Sequence, residues 1–178
     1  MFLCIALAMA GCNRTAPQKP SQRSSESPKA DSAMMALMEI NQRMASQADK
    51  ELLERIDSLT KADGREWARM NCGGWKIRRD EETKQKTLYS DNPKPKEIWQ
   101  VRVRVKHLDG QMAEDTECAY VIRSYKLPIA VEEALEDMCS GEKTEVYAPW
   151  YCAYGIHGND LIEPYESVKF EIYLGEKQ

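Results

Sequence analysis

The chain has 178 residues, the size of one ordinary domain with appendages. Hydrophobic residues make up 42%, enough for a core, while 30% are charged and the net charge is −4. No basic stripe is present to displace phosphate counterions, which argues against a nucleic-acid binder, and there is no repeat of solenoid period.

Met1 to Ala10 is an apolar run, too short to span a bilayer. It ends Met9-Ala10-Gly11-Cys12, which resembles a bacterial lipobox. That resemblance implies removal of a leader, residues 1–11, and a lipid on Cys12 as the membrane anchor. The match departs from the motif twice: no Lys or Arg precedes the apolar run, and Met9 stands where Leu is usual. Residues 12–32 follow, and Arg14 to Asp31 is rich in Pro, Ser and charge, so a disordered tether is expected. With Cys4 in the leader and Cys12 lipidated, Cys72, Cys118, Cys139 and Cys152 remain. They allow three full pairings, or four thiols serving as small hydrophobes. None stands in a C-x-x-C spacing, so neither a metal site nor a redox motif is supported.

Apolar residues at three- and four-residue steps (Leu37, Met44, Ala48, Leu52, Ile56, Leu59) predict an amphipathic helix over Ala33 to Leu59, within a segment 33–64. Asp31 and Ser32 are candidate N-caps and Gly64 a candidate stop. Met34, Met35, Leu37 and Met38 crowd its first turns. Two readings stand side by side, a helix for homodimerisation or client binding and a helix packed on its own domain. From residue 65 the chain reads as one domain to residue 178. Glu66 to Arg79 predicts a hairpin with Asn71-Cys72-Gly73-Gly74 as its turn, and Asp80 to Lys96 a polar loop. Glu97 to His107 alternates Val101, Val103 and Val105 with Arg102, Arg104 and Lys106, a strand with one core face and one wet face. A turn at Asp109-Gly110 and a strand over Cys118 to Tyr125 follow.

The last part, Val131 to Leu174, has a distinctive order. A short helix, Glu132 to Met138, ends near Gly141, and a strand runs from Thr144 to Ala148. A long loop holds Ala153-Tyr154-Gly155 and Leu161-Ile162-Glu163-Pro164. The final strand puts Val168, Phe170, Ile172 and Leu174 on one face. The elements add to an α+β class: a curved, mostly antiparallel sheet of five or six strands over one short helix, preceded by the long amphipathic helix.

Five segments carry a family resemblance: Met138-Cys139-Ser140-Gly141-Glu142-Lys143, Ala153-Tyr154-Gly155, Ile162-Glu163-Pro164, Val168 to Leu174, and His107-Leu108-Asp109-Gly110 upstream. In order and spacing they resemble the FKBP-type peptidyl-prolyl cis-trans isomerases. Together with the helix segments Leu37 to Arg43 and Glu51 to Ile56 they are similar to a subgroup of envelope lipoproteins that includes gliding-motility-associated isomerases. The resemblance implies a periplasm-facing lipoprotein of the bacterial envelope, seated in the outer membrane, that acts on proline-containing polypeptides. Such catalysis calls for no nucleophile, metal or cofactor. X-Pro rotation takes tens to hundreds of seconds unaided, and a pocket that disfavours the planar amide, with a donor to the carbonyl, lowers that barrier. With two histidines, His107 and His157, a hydrolytic triad has little material in any case.

By resemblance Tyr154 is the hydroxyl donor, Ile162 and Phe170 line the pocket, and Leu127 and Pro128 form its rim. Val131 stands where the family places the Trp of the pocket floor. Val103, Ala113-Glu114 and Cys118 fall at further aromatic or acidic positions of the family pocket. Pro128 replaces a residue whose N–H binds substrate, and proline has none. These departures imply weak turnover, or alternatively a non-catalytic FKBP-like binding or chaperone module.

Overall fold

The computed structural model describes residues 28–78 and 92–178. The leader, Cys12, the tether up to residue 27 and most of the polar loop after residue 78 lie outside the described residues. Helix α1 (Pro28–Asp63) begins five residues before Ala33 and ends at Gly64, whose φ of 72° turns the chain while its N–H donates to Thr60 O at 3.0 Å. A left-handed glycine after the last turn is a common helix stop.

The described residues up to Met38 form one unit and those from Glu39 onward a second. In the first, Met34, Met35, Leu37 and Met38 are exposed. In the second, Ala48, Leu52 and Ile56 are buried, and Leu52 and Ile56 cluster with Trp67 and Tyr147. From the middle of α1 onward, therefore, the apolar stripe packs on its own domain.

Strands β1 (Trp67–Arg69), β2 (Trp75–Ile77), β3 (Ile98–His107), β4 (Met112–Val121), β5 (Lys143–Ala148) and β6 (Val168–Lys177) form one antiparallel sheet in the order β1-β2-β5-β6-β3-β4. Helix α2 (Ile129–Asp137) covers one face of it. Val131, Ala134, Leu135 and, just past its end, Met138 are fully buried with Val146, Phe170 and Leu174. The architecture expected from the sequence, a long helix before a curved, mostly antiparallel sheet of five or six strands around one short helix, is the one observed, with six strands.

Strand β4 differs from its expected span. It runs six residues further upstream than Cys118 and stops at Val121, because Asp109-Gly110 makes a tight hairpin. His107 N donates to Gln111 O at 2.9 Å, and Asp109 Oδ1 accepts from Gln111 N at 2.8 Å. The sequence Met112 to Glu117 is too polar to signal a strand. It forms an edge strand whose Asp115 accepts two bonds from Arg102 and one from Arg104. Arg123 and Tyr125 then take positive φ and end the strand. The β1–β2 hairpin is shorter than predicted, three residues a side, and Glu133 of α2 holds its turn by accepting from Asn71 N (2.6 Å) and Cys72 N (2.8 Å).

Cys72, Cys118, Cys139 and Cys152 are all free thiols; Cys139 and Cys152 are buried and Cys118 is exposed. Among the described residues no helix is long and apolar enough to cross a membrane.

Candidate functional site

The site is built on the connection between β5 and β6. Pro149 starts a 3-10 turn over Trp150–Cys152, and Trp150 O accepts from Ala153 N (3.1 Å) and Gly155 N (2.8 Å). Further on, Asn159 Oδ1 accepts from Leu161 N and Ile162 N, both at 2.8 Å, and Asn159 N donates to Ile162 O at 2.9 Å. An Asn folded back on its own loop in this way fixes a tight turn. It sets Ile162 into the core, where it is 2% exposed.

Tyr154 sits at the rim of that core, half-buried, its ring 6.2 Å from that of Phe170 and tilted by 38°. Its hydroxyl makes no hydrogen bond to a described residue. Burial first, and the charge of Glu114 second, push its pKa up to about 12. At neutral pH it is a protonated donor without a partner among the described residues.

Register shows what faces Tyr154 from the sheet. Residues paired directly across an antiparallel ladder share a face. Val101, Val103 and Val105 point to the core, so their partners Cys118, Thr116 and Glu114 on β4 occupy the same inner face. Cys118 and Thr116 are exposed and Glu114 is half-buried, with Thr116 Oγ1 donating to Glu114 Oε1 at 2.6 Å. The uncovered end of the inner face is thus lined by a thiol, a hydroxyl and a carboxylate.

The other predicted residues divide by exposure. Leu127 is partly buried against the core, and Pro128 is the N-cap residue of α2, its carbonyl accepting from Val131 N (2.9 Å) and Glu132 N (3.1 Å). The N–H groups of Lys126 and Leu127 donate to Tyr120 Oη at 3.2 and 3.3 Å. Tyr120 in turn donates to the buried carboxylate of Glu132. Val131 and Phe170 are 0% exposed. The structure therefore brings Tyr154, Leu127, Val131, Ile162 and Phe170 to one cluster, with only the first two at its surface.

Sequence reasoning missed Thr116 and the Tyr120–Glu132 pair. Alternation counted from the Asp109-Gly110 turn would pair Val105 with Ala113 and turn Asp115 inward; the register shift between Val105 and Lys106 brings Thr116 there instead, and nothing local to Glu132 marks it as buried. Among the described residues no group of three or more His, Cys, Asp or Glu could hold a metal. A groove of about 550 Å³ lies on the opposite, outer face of the sheet, between Arg102, Arg104, Glu145 and Tyr173. It is remote from Tyr154. Its walls are neutralised by ion pairs of Arg102 and Arg104 with Asp115, and of Lys169 with Glu145 and Glu171.

A curved antiparallel sheet closed over one short helix is an FKBP-like fold. Residues 90–175 match the model of the family described as FKBP-type peptidyl-prolyl cis-trans isomerase. The fold is similar to the crystal structure of a peptidyl-prolyl cis-trans isomerase from Pseudomonas syringae pv. tomato, at 21% identity and a TM-score of 0.53. The likeness covers 75% of this chain and 96% of that one. No curated protein matches the chain.

Proposed function

We propose that the chain is a membrane-anchored FKBP-type prolyl isomerase that assists folding of bacterial envelope proteins, with Tyr154 as the donor to the substrate carbonyl. The observation that carries this reading is the Tyr154 hydroxyl, without a partner among the described residues, beside Phe170 within the stretch 90–175 that matches the isomerase family model. Rotation about X-Pro passes through a twisted amide whose carbonyl accepts a well-aimed hydrogen bond, while an apolar surface disfavours the planar, charge-separated form. Both elements lie in the chain's own residues: the hydroxyl of Tyr154, and the side chains of Leu127, Val131, Ile162 and Phe170.

A protease-coupled assay on a chromogenic X-Pro-Phe peptide tests it. Turnover above background that falls by about tenfold in Tyr154→Phe, the worth of roughly one hydrogen bond, supports the reading. Rates at background, unchanged by the substitution, end it.

One observation favours a second reading, an FKBP-shaped binding or chaperone module. Val131, Ile162 and Phe170 are between 0 and 2% exposed, so little of the apolar wall is open to a prolyl ring. The inner-face positions beside it carry Glu114, Thr116 and Cys118 rather than aromatics, each of which would bury about 150–250 Å². The same assay decides: binding of unfolded polypeptide without turnover belongs to the module.

The membrane anchor rests on the Met9-Ala10-Gly11-Cys12 stretch, and the helix segments Leu37 to Arg43 and Glu51 to Ile56 support placing the protein among the gliding-motility-associated lipoproteins of the outer membrane. Incorporation of labelled palmitate that is lost in Cys12→Ala is the expected result. Exposure of Met34, Met35, Leu37 and Met38 supports homodimerisation through the first turns of α1. Light scattering should then give a doubled mass that returns to monomer when the chain is shortened to begin at Glu39.

A further inference from the structure

We infer that Asn41 and Asp49 of α1 are positioning residues for the prolyl site, holding the loop of Tyr154 and Ile162 through Tyr165 and Tyr151. The inference rests on the isomerase reading above. It adds a part that residues 90–175 do not contain: two polar anchors from a helix that precedes the domain.

Asn41 Oδ1 accepts from the Tyr165 hydroxyl at 2.8 Å, and Asp49 Oδ1 accepts from the Tyr151 hydroxyl at 2.6 Å and from Arg69 Nη2 at 2.8 Å. Eight residues apart, the two anchors stand about 12 Å apart along the helix and near one face. They meet opposite ends of the same loop. Tyr151 lies three residues before Tyr154, and Tyr165 three residues after Ile162.

Between the two tyrosines stands Trp150, edge-on to both, with ring centroids 5.5 Å from Tyr151 and 4.9 Å from Tyr165. Trp150 O accepts from Gly155 N at 2.8 Å, and Gly155 O accepts from Tyr165 N at 3.2 Å. The anchors therefore connect by bonded steps to Gly155, the residue after Tyr154. Neither tyrosine is free to take another position. A Cβ at Gly73 would lie 2.6 Å from the Tyr151 hydroxyl, so that ring is seated against the hairpin turn. Tyr165 has φ 61°, a left-handed conformation that an ordinary residue keeps only where its surroundings impose it.

A bland role, fastening α1 to the sheet, is already filled by Leu52 and Ile56 against Trp67 and Tyr147. Asp49 adds one bond to the sheet, at Arg69 of β1, while its contact with Tyr151 and that of Asn41 with Tyr165 go to the loop. Because the donor and the apolar cluster must be held within a fraction of an ångström of each other, loosening this loop should lower turnover rather than affinity.

The test uses the full chain. Tyr165→Phe and Tyr151→Phe remove only the hydroxyls and keep the rings on Trp150; Asn41→Ala and Asp49→Ala remove the acceptors, and Asp49→Asn retains one. The expected result is a fall in kcat of about fivefold or more for each deletion, with KM within about twofold, and recovery in Asp49→Asn. Asn41→Ala combined with Tyr165→Phe should be no worse than either alone, since the two act through one bond. Hydrogen exchange at the Gly155 and Tyr165 amides should quicken in the same variants.

The control is Ile56→Val, which loosens the helix packing without touching the loop. If Ile56→Val lowers kcat as much at the same loss of thermal midpoint, or if the deletions leave kcat and exchange unchanged, the inference is overturned. Should the wild-type chain show no turnover, the isomerase reading fails by itself. The positioning role is then judged by exchange at the two amides, quickened or not.

Discussion

Tyr120 and Glu132 meet inside the core, the phenol of β4 donating to the carboxylate of α2. Both are nearly closed to solvent, at 5% exposure each. The same oxygen of Tyr120 accepts from Lys126 N and Leu127 N, so one side chain joins the sheet edge, the helix and the lip between them. Desolvation first, and then the Glu132 bond, raise the tyrosine pKa, which keeps it a donor throughout the working range. Tyr120→Phe would leave a carboxylate buried without its partner. It should lower stability by about 2–3 kcal/mol in urea unfolding, while Glu132→Gln, which keeps an acceptor, should cost roughly 1 kcal/mol. Equal losses would mean that the pair acts by packing alone.

Gly158 and Gly155 both have positive φ, 61° and 74°, yet they should respond differently to alanine. A Cβ at Gly158 would lie 2.2 Å from Ile162 O and 2.8 Å from the carbonyl carbon of Glu163, both backbone atoms with nowhere to go. At Gly155 nothing stands within 4 Å. Gly158→Ala should cost about 2–4 kcal/mol and release Ile162 from the core, whereas Gly155→Ala should cost only about 1 kcal/mol, the conformational strain by itself. Chemical denaturation of the two variants side by side makes the comparison.

The two parts of α1 should be told apart by truncation. Leu52 is 0% exposed among Ile56, Trp67 and Tyr147, so Leu52→Ala should remove about 2–5 kcal/mol of stability. Met35 is 71% exposed, and Met35→Ala should stay within about 0.5 kcal/mol in a monomer. A loss at Met35 that depends on protein concentration would report association through that surface.

His107 supplies a pH dependence with a defined sign. Its Nδ1 lies 2.5 Å from Glu166 Oε1, and Glu166 Oε2 accepts from Glu163 N at 2.9 Å, next to Ile162. The bond to Glu166 is the largest cause that raises its pKa above the ordinary 6.5, with the charges of Glu166, Asp109 and Glu163 adding and desolvation opposing. A raised folded-state pKa means that the stabilisation is fully present below about 6.5 and fades as pH rises through the folded value. The thermal midpoint should therefore decline from about pH 6 to 9 in the wild type and stay flatter in His107→Gln. An imidazole titration by NMR that gives an ordinary midpoint would remove the basis for this.

How far the residues announced this arrangement depends on the range of the interaction. β3 was legible because Val101, Val103 and Val105 alternate with charge, and a half-buried strand has no other way to satisfy both faces. Tyr154, Ile162 and Phe170 were legible as a set because their spacing matches a family pattern. β4 was not, since its acidic residues are held by arginines of the neighbouring strand rather than by burial of their own. Nothing in the short helix predicted over Glu132 to Met138 marks Glu132 as buried, and only the approach of Tyr120 across twelve residues of chain makes it a core residue.

What the sequence determined by itself is local and periodic: the amphipathic stripe of α1, the alternation of β3 and β6, the glycine and asparagine turns, and the order of the family's short motifs. The tertiary structure decided which surfaces those elements spend on one another. It turned Leu52 and Ile56 toward the protein's own domain and left Met34 to Met38 exposed. It closed Val131, Ile162 and Phe170 into the core while leaving the Tyr154 hydroxyl without a partner among the described residues, and it brought Asn41 to Tyr165 across 124 residues. Periodicity records which face of an element is apolar, but not which neighbour covers it. That is settled only when all the faces compete for the same interior.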